Sequence, residues 1–310
     1  MNTPARLSLI VLLFLSAVSQ SAAQSSEAKD RGDSVLRREN LVAWCYVPFD
    51  AAKRSPAERA EMLHELGILR GAYDWRQQHV PTFEQEILEY RKHGVEMFAF
   101  WSEHDEAFRL FEKYGMHPQI WRMLEMPERE DETQDAKIAR AVQWITPLAE
   151  RTKKMKCKLG LYNHGGWAGE PENLVAVCDE LRELGHDHVG IVYNFHHAHD
   201  RIDQFASLLR MMLPYLHCLN LNGMNDDAQP KIVGLGKGQH EKQMLQAVLE
   251  SGYDGPIGIL DHRPELDARE SLDENLKGLR WLERELQKPG SGGAMPPTPV
   301  PVRQSPAGNE

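Results

Sequence analysis

Between residues 41 and 286, short apolar runs alternate with longer amphipathic stretches, eight times over. The runs are Leu41–Val47, Ile68–Tyr73, Val95–Trp101, Gln119–Leu124, Lys158–His164, Val189–Phe195, His217–Asn222 and Pro256–Leu260. Each has the length of a buried strand and is rich in Val, Ile, Leu or aromatic side chains. Near-continuous apolarity suits strands covered on both faces, which a parallel sheet requires.

The stretches between them carry helix signals. Ser55-Pro56-Ala57-Glu58 reads as a capping box with proline at the first helical position. Thr82 with Gln85 repeats that pattern, and Leu174, Val177, Cys178, Leu181 and Leu184 share one stripe. Pro147 predicts a kink or break in the helix around Ala136–Thr152. Eight such units match a closed (β/α)8 TIM barrel, an α/β single domain of about 250 residues. The competing open, doubly wound sheet would show a Gly-rich phosphate loop after its first strand, and Cys45-Tyr46-Val47-Pro48-Phe49 has none.

The two ends of the chain read differently. Residues 1–23 have the grammar of an export signal: Arg6, an apolar Leu7–Val18, then the small residues Ser21-Ala22-Ala23. The expectation is an exported protein, periplasmic or secreted, with no membrane association once the signal is removed. Residues 24–40 read as a polar linker. Residues 287–310, with Gly290-Ser291-Gly292-Gly293 and the prolines after them, read as a disordered tail. Cys45, Cys157, Cys178 and Cys218 are widely spaced and form no zinc or redox motif, so buried free thiols are expected. Lys and Arg total 36 against 46 Asp and Glu, a net charge of −10 that disfavours a nucleic-acid partner.

In a barrel the loops after the strands build the active site. The polar residues there are Asp74 and Arg76, Trp101 with Glu103 and His104, Asn163-His164, and Asn194 with His196, His197 and His199. Asn220 and Asn222, then Asp261-His262, complete the set.

At these residues the sequence resembles the xylose isomerase-like barrel superfamily, which includes sugar phosphate isomerases and epimerases and metal-dependent apurinic endonucleases. The likeness spans about residues 41–284. It is clearest in Leu159-Gly160-Leu161-Tyr162-Asn163-His164-Gly165-Gly166, in Val189–His197 and in Gly252–Ile257, with Gly234-Leu235-Gly236-Lys237-Gly238 similar to the family's turn before its last helix. The resemblance implies a divalent cation held by carboxylates and histidines from strands five to eight. Here Tyr162 stands in place of the strand-five Glu, Asn194 in place of the Asp, Asn220 in place of the strand-seven His, and Leu260 in place of the strand-eight Glu; His197 is kept. Neutral amides do not offset the charge of Mg²⁺ or Mn²⁺, so no metal site of the usual kind is expected. A different set, His164, His197 and Asp261, offers ligands suited to a divalent transition metal instead.

The resulting expectation is a sugar isomerase- or epimerase-like enzyme, or a lyase, acting on a small carbohydrate or polyol. His164 and His197 move protons and Asp261 orients a histidine or a water. Asn163, Asn194, Asn220 and Asn222 hold hydroxyls, Trp101 and Trp167 stack on the ring, and His262 assists. Each has a plainer reading: a histidine bonded to a neighbouring strand end, a capping Asp261, tryptophans of core or rim, a turn-forming Asn222 before Gly223. The alternative for the whole chain is a non-catalytic carbohydrate-binding barrel of the same descent.

Overall fold

Every one of the eight apolar runs contains a strand. The computed structural model describes residues 35–127 and 129–302, and all elements below lie in the unit that begins at Arg38. The strands are β1 (Leu41–Trp44), β2 (Arg70–Tyr73), β3 (Glu96–Trp101), β4 (Gln119–Arg122), β5 (Leu159–Tyr162), β6 (Val189–Asn194), β7 (Leu216–Leu221) and β8 (Ile257–Leu260). They form a closed barrel in chain order, parallel throughout, and β8 pairs with β1 to seal it. β1, β5, β6 and β8 are buried along their whole length, as strands covered on both faces must be.

The barrel interior is packed with large aromatic rings. Trp44 and Trp121 lie with ring centroids 4.3 Å apart, and both are fully buried. Glycines on the neighbouring strands make that possible. A Cβ on Gly160 would sit 2.8 Å from Cδ1 of Trp121, and one on Gly258 would sit 2.6 Å from Cε3 of Trp44. The aromatic tier fills the barrel below the strand ends, so chemistry is confined to the mouth above it.

The helices are α1 (Pro56–Leu66), α2 (Phe83–Lys92), α3 (Asp105–Tyr114), α4 (Gln134–Lys154), α5 (Gly166–Gly169), α6 (Pro171–Glu183), α7 (Phe205–Met212), α8 (Glu241–Glu250) and α9 (Ala268–Gln287). The Ser55–Glu58 capping box is formed, and Gly67 ends α1 at φ 67°. One local expectation fails, and of the kink or break expected at Pro147 the break is absent. Thr82 does not cap α2; its hydroxyl donates to the His79 carbonyl at 2.9 Å, because a 3-10 turn over Gln77–Thr82 leads into the helix. α4 runs through Pro147 without a break. That residue and Gln143, whose carbonyl loses its donor, are both exposed, so solvent takes the freed group.

The chain ends also differ from the compositional reading where they are described. Arg38–Asn40, assigned to the linker, form a 3-10 turn tied to the barrel, with Arg38 donating to the Leu66 carbonyl and Asn40 to that of Gly255. After α9, the peptide N–H groups of Gly290 and Gly292 donate to Glu285, Trp281 donates to the Gly293 carbonyl, and Val302 donates to that of Glu265. The export signal and residues 24–34 of the linker lie outside the described residues. All four cysteines are free and buried. Among the described residues no helix is long and apolar enough to cross a membrane.

Candidate functional site

β1 and β3 leave the barrel through residues in the left-handed region, Cys45 at φ 61° and Ser102 at φ 58°. Such conformations are uncommon outside glycine and concentrate at functional sites. Both residues line a cavity of about 490 Å³ at the C-terminal mouth of the barrel. Trp101, Tyr162, His164, His197 and His262 face the same space.

The centre of the mouth is a hydrogen-bonded chain built from β5 and β6. Asn194 donates through Nδ2 to the Tyr162 hydroxyl at 2.7 Å, and that hydroxyl lies 2.9 Å from Nε2 of His197. The hydroxyl oxygen accepts from the amide, and the tautomer of His197 decides which partner donates in the second contact. Nε2 of His196 lies 2.9 Å from the same His197 nitrogen. The His164 ring stands edge-on to His197 with centroids 4.4 Å apart, and His262 lies 5.3 Å from His196. Four imidazoles therefore share one mouth.

Burial sets their charge. It drives His197 and His196 far below the usual histidine range, and neighbouring imidazoles and Lys231 push the same way. Burial also lowers His164, which is more exposed, and His262, with Lys231 adding to the first and Arg76 and Lys231 to the second. All four are neutral at pH 7, able to accept a proton. Burial raises the Tyr162 hydroxyl well above its ordinary value, so it stays protonated.

Asp74, at the end of β2, completes the mouth. It is 4% exposed, and its Oδ1 has no hydrogen-bond partner. Burial lifts its pKa to about 8, against the opposing pull of Arg76, so the carboxyl is largely protonated near neutrality. This residue was visible in the sequence as a polar strand end, with Arg76, but nothing in its local pattern assigned it a role. Tyr162 was noticed only for the carboxylate it lacks.

The remaining candidates are placed as follows. The amides of Asn163 and Asn194 are engaged within the protein: Asn163 donates to the Asn194 carbonyl at 3.1 Å and accepts from its peptide N–H at 2.7 Å. Asn220 donates to Asn194 Oδ1 at 2.8 Å, and Asn222 donates to the carbonyls of Gly223 and Lys231. Three of these four thus knit β5, β6 and β7 together beneath the mouth, and Asn222 fixes the loop after β7. Trp101 does face the cavity, edge-on to Tyr162 with centroids 4.4 Å apart. Trp167 instead donates to Gln134 at 2.7 Å, at the start of α4.

Asp261 is fully buried, and neither carboxyl oxygen has a hydrogen-bond partner. Burial raises its pKa well above the usual range, opposed by Ser271 and Arg263. Its neighbour His262 lines the mouth and Asp261 does not. Among the described residues no three His, Cys, Asp or Glu side chains gather to hold a metal ion, so His164, His197 and Asp261 do not assemble as a ligand set. Asn194, with its amide fully hydrogen-bonded, and the apolar Leu260 supply no anionic donor either.

A second, smaller cavity of about 320 Å³ opens on the other side of His164 and His197, between the loops after β5, β6 and β7. Tyr193, Arg201 and Lys231 line it.

Comparison with known proteins follows the same outline. Residues 90–284 match the model of the Xylose isomerase-like TIM barrel. Among solved structures, 3-keto-D-glucoside 4-epimerase YcjR from E. coli is similar, with TM-score 0.57 and 12% identity over 79% of this chain and 98% of that one. The probable 3-DHS dehydratase AsbF of petrobactin synthesis from Bacillus anthracis gives TM-score 0.61 and 13% identity, covering 77% and 98%. D-psicose 3-epimerase with D-tagatose from Clostridium cellulolyticum H10 gives 0.56 and 12%, covering 78% and 97%. At these identities the likeness is one of fold. No curated protein matches by sequence.

Proposed function

The chain belongs to the xylose isomerase-like TIM barrel family, and we propose that it is an exported isomerase- or epimerase-like enzyme acting on a small carbohydrate or polyol. The observation that carries this reading is the Asn194–Tyr162–His197 chain opening onto a cavity with room for a monosaccharide. Epimerases of small sugars and sugar derivatives recur among the similar structures. Export rests on the signal-like residues 1–23.

The chemistry is proton transfer next to a carbonyl. His164 is neutral and borders both cavities, which suits it to take a proton from carbon. The Tyr162 hydroxyl, backed by His197, donates to the substrate oxygen on which negative charge develops. Asp74, protonated near neutrality, is a second donor on the opposite wall. Trp101 offers a face or edge to the C–H surface of a sugar ring.

The family's carboxylate ligands have no counterpart at Tyr162, Asn194, Asn220 and Leu260. The residues present do not fit a hard divalent cation, and the proposed mechanism routes no step through one. The test is turnover of a panel of aldoses, ketoses and keto-glycosides, with and without chelator. Chelator-insensitive conversion that is lost in His164→Gln supports the reading. Ligand-induced stabilisation with no conversion would leave a carbohydrate-binding barrel.

A further inference from the structure

The chain does not leave the barrel after α9; it turns and comes back along that helix. The peptide N–H groups of Gly290 and Gly292 donate to Glu285 at 2.9 and 2.7 Å, and the Trp281 indole donates to the Gly293 carbonyl at 3.1 Å. Position 292 has to be glycine, because a Cβ there would meet the Trp281 ring. Beyond this turn Thr298 Oγ1 accepts from Lys237 Nζ at 2.7 Å, and the Val302 N–H donates to the Glu265 carbonyl at 2.9 Å. The partners thus run from Glu285 and Trp281, late in α9, to Glu265, which precedes that helix. Pro296, Pro297, Pro299 and Pro301 keep the returning segment extended and short of peptide donors.

Its far anchors land on two loops that border the mouth. The loop after β8 carries His262, which lines the cavity, and in the loop after β7 Ile232 packs against the aromatic cluster of Trp44, Trp121 and Tyr162. Lys237 pairs with Glu274, and Glu274 pairs at 2.6 Å with Arg263, the residue after His262. The turn over Gly234–Gly238 is wedged between the returning segment and α9. On one side the Leu235 N–H donates to Asn275 at 2.9 Å, and Gly278 has no room for a Cβ against the Leu235 carbonyl. On the other, a Cβ on Gly236 would lie 3.2 Å from Sδ of Met295.

The hold is light. Every residue from 293 to 302 is exposed or half-buried, and a segment with few buried contacts opens without unfolding what lies beneath it. We propose that residues 288–302 are a clasp that holds the loops after β7 and β8 against the mouth, and that its release opens the cavity on the His262 side. The clasp governs access to the site whichever chemistry takes place there.

Cys45 reports such an opening. It lines the cavity at the end of β1, next to β8, whereas Cys218 is sealed in the barrel wall. Alkylation of the full chain by iodoacetamide, with each thiol followed by peptide mass spectrometry, gives the two rates. Thr298→Val combined with Val302→Pro removes both far anchors at exposed positions. Cys45 in this variant is expected to label about tenfold faster, the scale of two ordinary hydrogen bonds, with Cys218 unchanged. Amide hydrogen exchange should quicken in residues 232–238 and 261–267 and stay slow in β5 and β6. Trp281→Phe, which loosens the base of the clasp by one bond, should move the same sites by less. An unchanged Cys45 rate in both variants overturns the proposal. Equal acceleration at Cys45 and Cys218 in both, the mark of general unfolding, overturns it as well.

Discussion

The phenolic oxygen of Tyr162 lies 2.9 Å from Nε2 of His197, and the Asn194 amide holds it there from the other side at 2.7 Å. The last residue of β5 thus presents a protonated hydroxyl beside an imidazole. In our account that pairing defines the site.

Removing the hydroxyl while keeping the ring tests it directly. Tyr162→Phe is expected to lower kcat by about 10² or more, the range of a general acid–base contribution, with a smaller change in KM. Stability falls by about 1–3 kcal/mol, because the buried Asn194 amide loses its acceptor. Steady-state kinetics with a denaturation curve separates the two effects.

Asp74 makes a prediction about alkaline pH. Its carboxyl titrates near pH 8 in the folded protein against an ordinary value of 3.8, so the folded state holds a proton that the unfolded chain has released. The stability it contributes is complete below pH 3.8 and is lost as pH rises through 8, at about 1.4 kcal/mol per pH unit across that window. Activity that uses its proton falls on the same limb. In Asp74→Asn the alkaline fall in both activity and stability should flatten, as read from pH–rate profiles and urea midpoints between pH 6 and 9.

The histidines act on the acid side. His196 and His197 resist protonation when folded but accept protons near pH 6.5 when unfolded. Below that pH the unfolded state binds more protons, so stability drops as pH falls, by about 1.4 kcal/mol per unit for each imidazole. His197→Gln is expected to reduce this slope by about half of the two-histidine contribution in urea titrations from pH 7 to 5. An unchanged slope would contradict the assigned burial of that ring.

The strand-end amides are expected to behave as structure. Asn194→Ala removes bonds to Tyr162, Asn220 and the His196 peptide and should cost about 2–4 kcal/mol. Asn222→Ala should instead spare the barrel and loosen the loop after β7, at a smaller cost in stability. Thermal denaturation of the pair separates the two roles.

These residues also show what the sequence could and could not disclose. All eight strands were legible because each is buried along most of its length and so reads as a mainly apolar run. Pro147 misled because the break it predicts depends on whether the freed carbonyl is buried, and Gln143 faces solvent. His164, His197, Trp101 and His262 were found at the mouth because strand ends always point there. The direction of an amide leaves no trace in spacing, so Asn163 and Asn194 read as ligands for hydroxyls although they bond to each other. Asp74 was visible but mute: what distinguishes it is desolvation by burial, which is a property of the closed barrel.

The central claim is that the mouth moves protons at a substrate carbon. Proton NMR of the mature protein in D₂O, with a panel of neutral and acidic aldoses and ketoses, measures this without requiring net conversion. The account predicts deuterium entering the carbon next to the carbonyl of at least one sugar, unaffected by chelator and lost in His164→Gln and Tyr162→Phe. A protein that binds one of these sugars in the mouth yet leaves every C–H bond unexchanged would contradict it.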